Sequence, residues 1–269
     1  LSNFQKEKDH LERAKSIIRK TERKMNRTKY ILLLVLFNFS FVMISSAMVE
    51  KRAIYNSYLL SDMSTWKKII DDMHAEKGKS NQRELELLNY EYGYVGWCIG
   101  NKRKKEAKIY ISRSLERIKR LDTAKQHLPL VDAYTSAFYG FRIGLEPLRA
   151  PKFGPRSLEF AKKSVAKDNQ NAMGYIQLGN IDYFMPPAFG GSKEKAIKNY
   201  LQAERLMDPI SEYDWNYLAL LVQIATVYSE TGNLEKADFY YRKTLSISPN
   251  FIWVRDQLYP AFKKKHNKL

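Results

Sequence analysis

The chain has 269 residues, 44% hydrophobic and 28% charged, which is enough apolar content for a folded core. Its single cysteine, Cys98, excludes an intramolecular disulfide framework. The net charge of +17 raises nucleic acid as a partner, but residues 1–47 carry +6 of it and the rest is scattered, with clusters only at Lys102–Lys105 and Lys263–Lys265. A nucleic-acid partner is therefore not expected. Eighteen tyrosines and thirteen phenylalanines against twelve glycines suit aromatic-packed helices better than a β-sandwich.

Residues 1–24 are dense in charge and precede Met25. They are expected to stand outside the fold, as an upstream segment that is non-native or disordered. Residues 25–47 read as a secretory signal peptide: a basic start, the apolar run Ile31–Ile44, and Ser45-Ser46-Ala47 with small residues before the cut. The alternative is a membrane anchor over residues 30–49, about the 20 residues a span needs, though Asn38 and the serine pair suit it poorly. In both readings the basic flank stays inside. Everything after residue 48 is then extracytoplasmic, periplasmic or secreted, and meets the membrane only through the apolar segment if that is uncleaved. No cysteine stands directly after the run, so a lipoprotein anchor is excluded. An exported lone thiol must be hidden, and Cys98 lies among Tyr94, Val95, Trp97 and Ile99, as a buried structural thiol would.

From residue 48 the apolar residues recur at helical spacing. Val49–Leu60 carries Ile54, Tyr58 and Leu59. After a turn with Ser64 as N-cap, Thr65–Glu76 presents Trp66, Ile69, Ile70 and Met73. Arg83–Gly100 is aromatic-rich, and a turn at Asn101 leads to Ala107, Ile111, Ser114 and Leu115. A third pair starts near Leu128 with Tyr134, Ala137, Phe138 and Phe141, and continues with Ser157, Ala161 and Ser164. The fourth has Tyr175, Leu178 and Gly179, then Ala196, Tyr200 and Ala203. Closing residues fall at Asn169, Pro209 and Pro249. Two P-x-F-G stretches, Pro151–Gly154 and Pro187–Gly190, read as related enlargements of two hairpin turns. A last helix from Ile252 to about Lys265 is expected to cap the array, kinked or ended early by Pro260.

Leu218–Asn250 is the most regular stretch. Leu221, Ile224, Ala225 and Tyr228 mark one helix, Gly232-Asn233 a turn, Ala237, Tyr241, Thr244 and Leu245 a second helix, and Pro249 the end. This stretch resembles a tetratricopeptide repeat, with Ala225, Tyr228, Gly232, Ala237, Tyr241 and Pro249 at the family's small, aromatic, turn and proline positions. Thr244 departs, standing where alanine is usual. The resemblance implies an all-α chain, an α-solenoid of about five such helix pairs over residues 48–269 with a C-terminal capping helix, whose A helices line a concave face. It implies a protein–protein interaction scaffold. Mapped onto this chain, the partner-binding positions are Tyr134, Phe138 and Phe141 (with Val131), Met173, Ile176, Asn180 and Tyr183, and Val222, Thr226 and Ser229 (with Ala219). A face so aromatic and so weakly charged suits an apolar peptide segment or a small apolar ligand.

Catalytic and metal signatures are sparse. Asp71 and His74 share a helix face, as two metal ligands could, but no third ligand stands at a recognisable spacing. Gly190-Gly191-Ser192-Lys193 lacks the phosphate-loop pattern and reads as a turn with Ser192 capping the next helix. G-x-S-x-G and H-E-x-x-H are absent. The expectation is a binding protein rather than an enzyme, without a cofactor. The P-x-F-G-G stretch is also similar to one in the T component of periplasmic TRAP transporters. That similarity implies the alternative of a ligand-handling transporter subunit with an enclosed apolar pocket near Tyr134, Phe138 and Tyr183.

Overall fold

A computed structural model describes residues 48–125, 128–207 and 213–266. The leader or anchor reading of residues 25–47, the charged residues 1–24 and the closing Asp208-Pro209 lie outside the described residues. The compact unit runs from Arg52 to the C-terminus.

Among the described residues the fold is all-α and without strands, with helices packed in consecutive pairs. Helix α1 (48–59) pairs with α2 (Met63–Ala75), α3 (Asn81–Gly100) with α4 (Lys104–Thr123), and α5 (Leu128–Leu145) with α6 (Ala150–Lys167). Then α7 (Ala172–Phe184) pairs with α8 (Lys193–Leu206) and α9 (Trp215–Glu230) with α10 (Leu234–Ile247). Residues 252–253, a π-helical turn at Val254–Leu258 and α11 (Tyr259–Lys265) form one closing helix.

Short polar side chains start these helices by accepting from orphan amides of the first turn. Ser80 accepts from Arg83 N at 3.1 Å, Ser192 from Lys195 N at 3.2 Å and Asn233 from Lys236 N at 3.2 Å. At α2 the cap is Asp62, which accepts from Thr65 N at 3.1 Å. Ser64, expected to cap, instead donates to Asp62, because a carboxylate one turn earlier is the stronger acceptor. The α9–α10 turn needs a positive φ, and Gly232 supplies it at 80°.

Close helix approach explains the small residues. Ala107, Ser114, Ala161, Ser164, Ala196, Ala203, Ala225 and Ala237 are fully buried where paired helices meet. Thr244 fits at an alanine position because its hydroxyl donates to Tyr240 O at 2.8 Å, leaving only a methyl to pack.

The two P-x-F-G stretches are not equivalent. Pro151–Gly154 forms the first turn of α6, where a proline lacking its N–H costs nothing, and Phe153 is buried beneath Tyr139 and Arg142. Pro187–Phe189 is a 3-10 turn ending on Gly190 at φ 98°, and Phe189 is exposed. Only the second is an enlarged turn. The closing helix spans the expected residues 252–265; Pro260 does not end it, and the distortion is a π turn just before the proline. A proline ring crowds the preceding turn's carbonyl, and here the π turn just before it loosens that turn, with Tyr259 N bonded to Val254 O.

Candidate functional site

The family-mapped positions lie on α5, α7 and α9, and they differ between the two halves of those helices. Tyr134, Phe138, Met173, Ile176 and Val222, toward the helix N-termini, are buried. Phe141, Asn180, Tyr183, Thr226 and Ser229, toward the C-termini, are half-buried.

The filling comes from aromatics that the sequence reading did not assign to the concave face. Tyr92 of α3 stands edge-on to Tyr134 at 5.8 Å, stacks on Phe141 at 5.4 Å and lies 6.2 Å from Trp215. Trp215 meets Trp66 of α2 at 5.2 Å and Tyr58 of α1 at 5.7 Å, and Tyr58 reaches Phe251 beyond α10 at 4.8 Å. Edge-to-face and offset pairs of this kind are the favoured aromatic geometries. The first hairpin thus plugs the deep half of the inner face. One sequence signal pointed there: Gly93, beside Tyr92, is the only residue type that lets Trp66 and Trp215 pass.

A polar seam runs along the boundary between the halves. Tyr134 donates to Asn89 Oδ1 at 2.9 Å, Tyr200 donates to Asn180 Oδ1 at 2.8 Å, and Asn180 Nδ2 donates to Gln177 Oε1 at 3.2 Å. Gln177, buried and unanticipated, donates onward toward Tyr92 Oη at 3.4 Å. Burial pushes the Tyr92 and Tyr134 hydroxyls above the ordinary range, so the seam stays neutral. At the open end Tyr183 donates to Glu230 Oε1 at 2.9 Å, and Lys193 pairs with the other oxygen at 3.1 Å. Burial and then the Glu230 carboxylate push the Tyr183 hydroxyl up to about 12.

Met173 and Ile176 also edge a separate open cleft of about 440 Å³, with Leu130, Asn171, Met207 and Asn216. Tyr134 and Phe138, expected around an enclosed apolar pocket, instead pack against Tyr92 and Phe141. Elsewhere, Asp71 is engaged by Lys67, Arg113 and Tyr110 rather than by His74. Cys98 is fully buried, and burial pushes its thiol up to about 12.

Residues 218–251 match the family model of the tetratricopeptide repeat. Among solved structures, the HusA haemophore from Porphyromonas gingivalis is similar at a TM-score of 0.54 and 15% identity, over 69% of this chain and 94% of that one. A likeness at that identity is one of fold. No curated protein matches the chain. The last helix pair, residues 218–251, is a tetratricopeptide repeat within an all-α helical-repeat fold.

Proposed function

We propose that the chain is an extracytoplasmic protein–protein interaction scaffold that holds a partner segment on the open half of its inner face. Tetratricopeptide repeats generally bind proteins, and catalysis is not part of this reading. The observation that carries it is the division of the inner face. Phe141, Asn180, Tyr183, Thr226 and Ser229 stay half-accessible on α5, α7 and α9, with Phe141 held by the aromatic plug and Asn180 by the polar seam. A row so held presents fixed apolar and hydroxyl groups at helical spacing, and a pre-organised surface loses little entropy on binding. The extracytoplasmic placement rests on the leader-like residues 25–47.

The test is retention of a partner from the envelope fraction by the full chain, beside two variants. Tyr183→Ala with Ser229→Arg alters the open face without touching the plug, and should lower retention of the specific partner at least ten-fold. Phe239→Ala, on the exposed side of α10, should leave it unchanged. Equal retention by all three would refute the assignment of the face.

A further inference from the structure

The largest exposed apolar side chains are not on the inner face. The three most exposed stand at the tips of the hairpins: Leu148 between α5 and α6 is 97% exposed, and Phe184 and Phe189 between α7 and α8 are 73% and 78% exposed; Leu60 between α1 and α2 is 55% exposed, and Val49, Ile109 and Phe239 are exposed on helix sides away from the tips. Helix α5 packs against α3 and α7 as well as against its own partner α6. The successive hairpin tips therefore fall along one edge of the array. Two sets of contacts tie neighbouring tips together. Lys108, just past the α3–α4 turn, pairs with Glu146 of the α5–α6 turn at 2.8 Å. Glu230, at the end of α9, holds both Tyr183 and Lys193 from either side of the α7–α8 turn.

Two of these tips, α3–α4 and α5–α6, are cationic, with Arg149 also paired to Glu146 at 2.6 Å, while the α7–α8 tip carries Lys193 and Lys195 beside Glu194. Lys102, Lys104 and Lys105 are exposed at the α3–α4 turn, and Arg149, Lys152 and Arg156 follow Leu148. The apolar residues are held outward by rigid backbone: Pro186-Pro187 and Gly190 fix the tip that carries Phe184 and Phe189. An ordinary soluble tip is polar, since a buried partner for such side chains is missing there. A leucine set among lysines and arginines, with two phenylalanines on the neighbouring tip, fits a surface with anionic head groups above an apolar layer.

We infer that the hairpin-tip edge docks on an anionic phospholipid surface, with Leu148, Phe184 and Phe189 entering the head-group layer and the lysines and arginines of the α3–α4 and α5–α6 tips meeting its phosphates. Among the described residues no helix is long and apolar enough to cross a membrane. The contact lies apart from the open inner face and does not depend on the partner assigned there. It would set the array with its tips on the membrane and its A helices standing off the surface.

Spin labels at single cysteines test this on the full chain, at Leu148→Cys and Phe189→Cys, with Phe239→Cys on α10 as reference. The native Cys98, buried with a thiol pushed up to about 12, stays unlabelled. On phosphatidylglycerol-containing vesicles the labels at 148 and 189 should become accessible to oxygen and shielded from a water-soluble nickel complex, and the label at 239 should not. Phosphatidylcholine vesicles should give no shielding at any of the three. Lys104→Ala with Lys105→Ala should lower the docked-to-undocked ratio about thirty-fold. Labels at 148 and 189 that stay water-exposed on anionic vesicles would overturn the inference, as would shielding that an acidic protein produces and lipid does not. Because every comparison is made between positions on one chain, attachment through residues 30–49 does not mimic the expected pattern.

Discussion

A methyl group at Gly93 would stand 2.7 Å from the ring of Trp215 and 2.8 Å from that of Trp66. Gly93→Ala should therefore force the plug apart and destabilise by about 1–3 kcal/mol, read as a lower urea midpoint. His74 makes a different prediction. Burial, then the charges of Arg113, Arg117 and Lys79, hold its pKa below the ordinary value, with Asp71 opposing them. Folding therefore favours the neutral ring. Its contribution is intact above the unfolded value near 6.5 and is lost as pH falls below it through the depressed folded value. His74→Gln should flatten the fall in stability between neutral and mildly acid pH, measured by thermal unfolding at stepped pH. The individual small residues were legible in the sequence, because spacing alone places Ala225, Ala237 and Gly232. Tyr92 and Trp215 were not. Their roles depend on which of several aromatic faces the first hairpin covers, and helical spacing does not encode that long-range choice.

At the scale of elements, α3 and α4 are joined by a buried ionic cluster. Arg117 is fully buried, with Glu84 at 2.7 Å and the equally buried Glu91 at 3.0 Å, and Ser114 also donates to Glu91. Burial raises the Glu91 carboxyl against the opposing pull of Arg117 and Ser114. Removing one partner strands the other. Arg117→Met should cost about 3–5 kcal/mol by urea unfolding, and Glu91→Leu added to it should recover part of the loss. The helix pairs themselves were readable from repeated apolar spacing. The paired P-x-F-G motifs misled because identical short strings serve two backbones: a proline in a helix's first turn, and a proline before a left-handed glycine. The extent of the closing helix, residues 252–265, was read from its apolar residues, whereas the π turn ahead of Pro260 leaves no sequence mark.

At the scale of the whole Arg52–Leu269 unit, the first helix touches the link between α10 and the closing helix. Tyr58 packs on Phe251, and the Tyr55 hydroxyl meets that of Ser248. An open solenoid couples only neighbouring repeats and unfolds in stages, whereas a unit tied end to end through one aromatic interior should unfold together. Circular dichroism and tryptophan fluorescence should report coincident urea transitions. Tyr58→Ala should cost about 3 kcal/mol and separate them. The same closure fills the middle of the face and separates the cleft at the N-terminal ends of α5, α7 and α9 from the half-buried row toward their C-termini, and the binding of a partner on that C-terminal row is the centre of the account. Its most direct test is a photo-crosslinking residue placed at Tyr183 in the full chain, in cells, with the same residue at Phe239 as reference. The account predicts one protein joined from position 183 and not from 239. The same products from both positions, or none from 183 under conditions where the partner co-purifies, would contradict it.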